Sequence, residues 1–301
     1  MRRGSGLTLV EVLVAMLIML VVIAASMTFV IRGRAAHRTG EALAQLEESL
    51  DAAFSLLVDE VRLAGYLGLA PPATTVAGSS PLGGAERPDL AVAGNCGSSL
   101  AHDLRSPVVA VNSAYAAAAG VSLGCRAAPA GRAMPLADAL VLRHAAPEPA
   151  RAAAGRLQLE TNLRAAALSA NGLAMLGSDA RRHDLEVGVY YVSRDSTGRR
   201  DWPSLRRKRL VGGTRPAFQD EELVSGIADL QVKIGLDDPV DPDMAVDRWI
   251  DPDEPAAGGM PRAIRLELEV QSDVPERDQP DMKRRKRVSR VVELRNSGAA
   301  P

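Results

Sequence analysis

Glu11 is the residue with the clearest chemical significance, because it is the only charged side chain in the apolar span of residues 7–31. An acidic residue at the centre of a bilayer costs roughly 2.5 to 3.5 kcal/mol on insertion scales. As a helix, a span of this length covers about 37 Å, which exceeds a hydrocarbon core of about 30 Å. The carboxylate therefore requires a compensating partner, and a specific role for it is expected.

The apolar span follows a short polar and basic leader, residues 1–6, whose last residue is Gly6. A secretory signal peptide would instead have an apolar region of about 7 to 15 residues followed by a small-residue cleavage site. Cleavage after Gly6 would leave the whole apolar helix on the mature protein. The pattern thus predicts a retained helix rather than a removed signal.

The sequence Gly6-Leu7-Thr8-Leu9-Val10-Glu11 resembles the processing signal of type IV pilins and type II secretion pseudopilins. That signal has a glycine, an apolar first mature residue and a glutamate at mature position five. Leu7 departs from the commoner phenylalanine or methionine. In this family a membrane peptidase cuts after the glycine and methylates the new amino terminus. The resemblance implies that Gly6 and Leu7 form the processing site of a prepilin peptidase.

The resemblance also gives Glu11 a candidate partner. In a low-dielectric helix bundle an ammonium and a carboxylate attract each other strongly, and each is costly alone. Our hypothesis is that Glu11 pairs with the Leu7 amine of a neighbouring subunit and fixes axial register. The alternative is an ordinary anchor that tolerates one acid.

Charges beside the span do not set its orientation. Arg2 and Arg3 precede it, whereas Arg32, Arg34 and Arg38 follow it, which mildly opposes the expected direction. The processing motif places the leader in the cytoplasm and the chain after about Arg32 outside the inner membrane. We expect a single-pass inner-membrane protein with a periplasmic C-terminal domain that later enters a pilus fibre.

The two cysteines, Cys96 and Cys125, lie in the part expected to be periplasmic. Disulfides form in that compartment, and an even count fits one bridge. Closing a loop of about 30 residues stabilises by roughly 3 to 4 kcal/mol in the chain-entropy model. Two free thiols and half of a metal site are the alternatives, but no zinc-like spacing accompanies the pair.

The helix is expected to continue beyond the membrane through residues 32–66. No proline occurs before Pro71, and one apolar stripe recurs at steps of three or four residues: Leu43, Leu46, Leu50, Phe54, Leu57 and Val61. Gly33 and Gly40 are weak points, so the alternative is a separate soluble helix after a flexible hinge. The stripe must cover something, most simply a sheet.

The rest of the chain divides into a variable loop region with the cysteine pair, residues 67–136, and a β-rich globular domain, residues 137–301. A short helix or strand is expected near residues 108–111. Short alternating or branched runs predict strands at 139–143, 156–159, 185–192, 208–211, 264–270 and 288–294. Residues 221–235 indicate a short helix or turn leading into a strand, and a long polar loop separates the last two strands. The fold class is α+β, a long N-terminal helix packed on a mostly antiparallel sheet.

Each charged run could either bind a ligand or be an ordinary solvated segment. Residues 237–254 hold eight acids, which could bind calcium, but they lack the EF-hand spacing and are interrupted by prolines. A solvated loop is the expectation, with no metal. The basic runs at 206–209 and 283–287 are expected beside strands. Aromatic residues make up 3% of the chain and the net charge is -1, which argues against nucleic acid as a partner.

The four histidines are scattered, and no common catalytic motif is present, so neither an enzyme nor a cofactor is expected. Ala64-Gly65-Tyr66 at the helix end and the cysteine pair resemble PilW-type minor pilins. That resemblance implies a minor pilin that primes type IV pilus assembly at or near the tip and serves twitching and adhesion. Its implied partners are other minor pilins, the major pilin and a large tip adhesin. The alternative is a J-type pseudopilin of a type II secretion system.

Overall fold

The computed structural model describes residues 8–72, 74–81, 87–93, 96, 98–113, 132–238, 240, 241, 243, 245–256, 258–276 and 279–296. The chain forms two compact units. The first unit contains Met1–Glu47 and Ser272–Arg284, and the second contains Glu48–Gln271 and Arg285–Pro301.

Helix α1 runs as one element from Leu9 to Leu63 and includes Gly33 and Gly40. This helix of 55 residues thus contains both the apolar span and the continuation expected beyond it. The predicted stripe is buried at all its positions except Leu43, which is 43% exposed. In the second unit, Leu50, Phe54, Leu57 and Val61 are each at most 3% exposed. This burial confirms that the C-terminal part of the helix has an apolar packing face.

Among the described residues, the larger sheet has eight strands and is antiparallel except for one parallel pair, β1 with β5. Its strands are β1 (Val76–Ala77), β2 (Val108–Val111), β3 (Ala139–Pro149), β4 (Ala154–Thr161), β5 (Ala166–Asn171), β6 (Arg181–Ser193), β7 (Ser204–Val211) and β8 (Ala217–Ser225). Neighbouring strands follow the order β1-β5-β4-β6-β3-β2. Strand β7 also pairs with β6, and β8 pairs with β7.

Strand β6 is the centre of this sheet. It pairs with β3 from His183 to Tyr190, while β4 pairs with its first residues and β7 with its last. Val189, Tyr190 and Tyr191 are consecutive and fully buried, so both faces of the strand are covered here. This explains why the sequence at this strand reads as a continuous apolar run.

In the part of the chain that the structure describes, the smaller sheet has four strands in the order β10-β9-β11-β12. These strands are β9 (Ile227–Asp237), β10 (Arg248–Ile250), β11 (Met260–Glu276) and β12 (Gln279–Glu293). The alternating residues Ile264, Leu266, Leu268 and Val270 of β11 are each at most 1% exposed. This burial confirms the strand predicted there from its period of two. The long helix followed by mostly antiparallel sheets confirms the α+β class.

Of the two alternatives expected for residues 221–235, a short helix or a turn before a strand, the structure has the turn, at Gly226, and it leads into β9. Residues up to Ser225 belong to β8, and Gly226 has φ +86. Glu221 and Glu222 stand opposite Arg207 and Arg206 on β7. Opposite charges on facing strands stabilise the pairing, which overrides the helical preference of the acidic run.

The polar segment between the last two predicted strands is much shorter as a loop than expected. Strand β11 continues to Glu276 and β12 begins at Gln279. Arg287 donates to Glu267 at 3.0 Å and to Glu269 at 2.9 Å, while Arg285 donates to Glu269 at 2.8 Å. Opposite charges on these two strands stabilise their pairing, so polar residues can form strands here.

Within residues 67–136 the structure places β1, a 3-10 turn at Pro88–Leu90, helix α2 (Ser98–His102) and β2. Strand β2 confirms the short element expected near residues 108–111. Arg143 on β3 holds this region, because its side chain donates to the carbonyl oxygens of Leu100 at 2.7 Å and Ser106 at 2.6 Å. Burial lowers the pKa of Arg143 to about 10.

Candidate assembly site

Glu11 lies in the first turn of α1 and forms a capping box with Thr8. The Thr8 amide and hydroxyl donate to Glu11 Oε2 at 3.1 Å and 3.2 Å, and the Glu11 amide donates to Thr8 Oγ1 at 3.3 Å. These contacts satisfy amide groups that the start of a helix leaves without helical partners. The carboxylate of Glu11 is therefore fixed beside the amino end of the helix.

Only one oxygen of Glu11 takes part in this cap. Among the described residues no hydrogen bond reaches Oε1, since both bonds from Thr8 end on Oε2. A second donor, such as an amine, can thus approach the same carboxylate without displacing the cap. The capping role of Thr8 was not predicted above, although the spacing Thr-x-x-Glu before an apolar run is a signal of such a cap.

The apolar part of α1 is bare in the isolated chain. The exposed fraction of its large apolar side chains runs from 41% at Val12 to 79% at Phe29. By length and composition the helix can cross a membrane, with a mean hydropathy of 2.8 over 18 residues. An apolar surface of this extent requires lipid or other apolar helices around it.

The other end of α1 is anchored to the larger sheet through Glu60. Its Oε2 lies 3.1 Å from Nε2 of His144 on β3, and its Oε1 accepts from Arg207 on β7 at 3.2 Å. The His144 side chain is 4% exposed and that of Glu60 26%. One carboxylate thus joins the helix to two different strands.

A second set of contacts anchors the helix to β12. Arg290 donates to Asp51 at 2.5 Å, and its guanidinium lies 4.6 Å above the ring centre of Phe54. At the helix end, the Asn296 side chain donates to the carbonyl oxygens of Arg62 at 3.2 Å and Ala64 at 3.3 Å. These bonds satisfy carbonyls that the last helical turn leaves open.

Gly65 ends the helix in a conformation that favours glycine, with φ +79. A Cβ at this position would lie 2.8 Å from the carbonyl oxygen of Asn296. The Gly65 amide donates to the carbonyl of Arg143 at 2.9 Å, which binds the helix end to β3. The Ala-Gly-Tyr segment therefore fixes the exit of the chain from the helix.

The buried contact between Glu60 and His144 shifts both titrations. Burial opposes protonation of His144, but the hydrogen bond and charge of Glu60 outweigh it and raise the His144 pKa. Burial also opposes ionisation of Glu60, but the hydrogen bond and charge of His144, with the charge of Arg207, hold the Glu60 pKa below its usual range. Each partner thus favours the charged form of the other.

We expect this pair to make stability depend on pH. The raised pKa of His144 contributes stability below about pH 6.5 that is lost as pH rises through the folded value. The lowered pKa of Glu60 contributes stability above about pH 4.5 that is lost as pH falls through the folded value. Thermal unfolding of the wild type and of His144→Gln should therefore differ most between about pH 4.5 and 6.5. A difference in melting temperature that does not change from pH 5 to pH 9 would contradict this assignment.

The structure describes only some of the predicted site residues. Gly6 and Leu7 lie outside the described residues, as does Cys125. Cys96 is 1% exposed and packs with Leu100, Val141 and Val189. The bridge between Cys96 and Cys125 stays a prediction.

The basic run on β7 is engaged inside the fold. Arg206 donates to Asp220 at 2.6 Å, Arg207 donates to Glu221 at 2.8 Å, and Lys208 lies 3.5 Å from Asp220. The side chains of these three basic residues are 6% to 17% exposed. Acids on β8 balance these three charges, so Arg206, Arg207 and Lys208 offer little free charge to an external phosphate.

Two family models match the chain. A model described as type IV pilus-assembly protein W matches residues 189–279, which span the end of β6 to β11. A model described as the prokaryotic N-terminal methylation motif matches residues 1–27, which include Gly6, Leu7 and Glu11. No curated protein and no solved structure matches. The similarity thus covers the start of the helix and the strands at the junction of the two sheets.

Proposed function

Because this chain is a PilW-like minor pilin of type IV pili, we propose that it helps to prime pilus assembly and enters the fibre at or near its tip. There it serves twitching motility and adhesion. The observation that carries the proposal is the placement of Glu11, an acid at the start of a bare apolar helix whose Oε1 has no donor among the described residues.

The proposed chemistry begins with processing. A prepilin peptidase cuts after Gly6 and methylates the new amino group of Leu7, which the match of the methylation motif supports. Until assembly, α1 holds the protein in the inner membrane with its C-terminal domain in the periplasm. In that compartment Cys96 and Cys125 form a disulfide, which the burial of Cys96 supports.

Assembly then replaces lipid by other pilin helices around α1. The Leu7 amine of a neighbour approaches Glu11 Oε1 while Thr8 keeps its bonds to Oε2. In an apolar bundle this pairing removes two costly unpaired charges together. It also selects one axial register, because a shift of one helical turn moves the two charges about 5.4 Å apart.

The partners in this proposal are other minor pilins, the major pilin and a large tip adhesin. The role is structural and involves no catalytic step. The N-terminal motif alone would also fit a J-type pseudopilin of a type II secretion system. The match to type IV pilus-assembly protein W at residues 189–279 supports the pilus.

A deletion strain tests the proposal. We expect loss of twitching and of surface pili with normal secretion of extracellular enzymes, and restoration of twitching by the wild-type chain on a plasmid. Normal twitching with blocked enzyme secretion would overturn the pilus assignment and favour the pseudopilin. Measuring both phenotypes in one strain separates the two machines.

A further inference from the structure

Three acids at the end of β9 come together in space. One carboxylate oxygen from each of Asp237, Asp243 and Asp247 lies within 4.8 Å of the other two. Asp237 is the last residue of β9, and the other two lie in the connection to β10. Among the described residues this is the group of acids, histidines and cysteines best placed to share an ion.

Asp237 provides an independent indication of a ligand. It is 1% exposed, and its Oδ2 accepts from Arg262 at 2.8 Å. Its Oδ1 is buried and has no hydrogen-bond partner within the described part of the chain. A buried carboxylate oxygen left without a partner loses the hydration it had in water, so such atoms usually have a proton donor or a cation beside them.

The charges of the cluster do not balance. Within the described part of the chain, Arg262 is the one basic residue that forms an ion pair with these three acids, which leaves two negative charges close together. Like charges at this separation repel, particularly where one of them is buried. One divalent cation bound through Asp237 Oδ1 would neutralise the excess and also give that oxygen a partner.

We propose that Asp237, Asp243 and Asp247 bind one divalent cation, and that the ion is calcium. Oxygen ligands suit hard cations, and calcium tolerates the irregular geometry of a loop, whereas magnesium demands near-ideal octahedral geometry. Asp243 and Asp247 are exposed, so the ion is reached from solvent and water completes its shell. The site does not have EF-hand spacing. The sequence predicted a solvated loop without a metal here. The proposal differs because folding brings together acids that are separated in sequence.

The site has a structural consequence for the loop between β9 and β10. The Asp247 amide already donates to Leu236 at 2.9 Å, and its Oδ2 accepts from the Asp238 amide at 2.6 Å. An ion held by Asp237 and Asp243 as well would join Asp243 and Asp247 to the end of β9. With few protein ligands, we expect a dissociation constant of about 10⁻⁴ to 10⁻³ M, the range of extracellular calcium modules.

Equilibrium dialysis with radioactive calcium tests the site. The full chain is held in detergent micelles and first freed of metal by a chelator. We expect one calcium ion per wild-type chain and at least about tenfold weaker binding for Asp243→Asn, comparable to losses seen at other metal sites. Asn keeps an oxygen for the bond from the Ala245 amide that Asp243 Oδ1 accepts at 2.8 Å, so this variant should fold.

Glu254→Gln is the matched control, because it removes the same charge from the neighbouring turn outside the cluster. It should bind calcium as the wild type does. Absence of calcium binding to the wild type would overturn the proposal, as would equal binding by Asp243→Asn. Equal losses in Asp243→Asn and Glu254→Gln would also overturn it, because the attraction would then be diffuse. Thermal unfolding of each variant without calcium shows that it is folded.

Discussion

Replacing Asp138 by alanine is expected to lower the free energy of unfolding by about 2 to 4 kcal/mol. The carboxylate is 2% exposed and accepts the amides of Ser113 at 3.0 Å and Val232 at 2.8 Å. Ser113 follows β2 of the larger sheet, and Val232 lies on β9 of the smaller one. Alanine would leave both amides without this acceptor, and the one on β9 is buried.

Burying the charged carboxylate of Asp138 itself costs free energy, which limits the stability that Asp138→Ala loses. Burial raises the pKa of Asp138, and the two backbone amides only partly offset it. Asp138→Asn removes the charge and keeps one acceptor oxygen, so its loss should be smaller than that of alanine. Denaturant unfolding followed by the fluorescence of Trp202 and Trp249 measures both variants.

Glu254→Ala is the control for Asp138, since an exposed acid without such contacts should change stability by less than about 0.5 kcal/mol. If Asp138→Ala were as stable as this control, Asp138 would not be the link between the two sheets. Because the pKa of Asp138 is raised in the folded state, its protonation as the pH falls favours folding, and acid unfolding has to come from other carboxylates.

Secondary-structure elements that are determined by neighbouring residues in the chain could be predicted from the sequence. Helix α1 follows from an apolar run joined to a periodic stripe without proline, and β11 follows from strict alternation. Strand β8 did not follow, because Asp220, Glu221 and Glu222 find their basic partners on another strand. Acids that favour a helix locally become strand residues when the facing strand supplies the opposite charge.

Functional residues divide in the same way. Glu11 and its processing context are contiguous in sequence, so a role for them could be predicted from the sequence. The partners Glu60 and His144 are 84 positions apart, and Asp237 acquires its significance from Arg262 and from the fold of its loop. Thr8 is the exception, since the spacing Thr8-x-x-Glu11 carried a capping signal that local inspection could have found.

Glu11→Gln is expected to reduce incorporation into pili by at least about tenfold. Glutamine can still accept the bonds from Thr8 as the second member of a capping box, so the start of the helix is preserved. It cannot neutralise the amine of a neighbouring Leu7 in an apolar bundle. A loss of only 1.4 kcal/mol gives a tenfold change, and breaking a buried ion pair usually costs more.

Thr8→Ala is the matched control for this variant. It removes the cap, which costs about 0.5 to 2 kcal/mol of helix stability, but keeps the carboxylate charge. We expect Thr8→Ala to enter pili within about twofold of the wild type, because the bundle rather than the cap stabilises the helix there. The pair of variants thus separates the charge of Glu11 from its capping bond.

The most direct test of the central claim is quantitative mass spectrometry of sheared pili from strains that carry the wild type, Glu11→Gln or Thr8→Ala. The ratio of this chain to the major pilin, corrected for the amount of processed chain in the membrane, is the measured quantity. Assembly through the charge of Glu11 predicts a normal ratio for Thr8→Ala and a loss of at least about tenfold for Glu11→Gln. A wild-type ratio for Glu11→Gln, or absence of the wild-type chain from the pili, would contradict it.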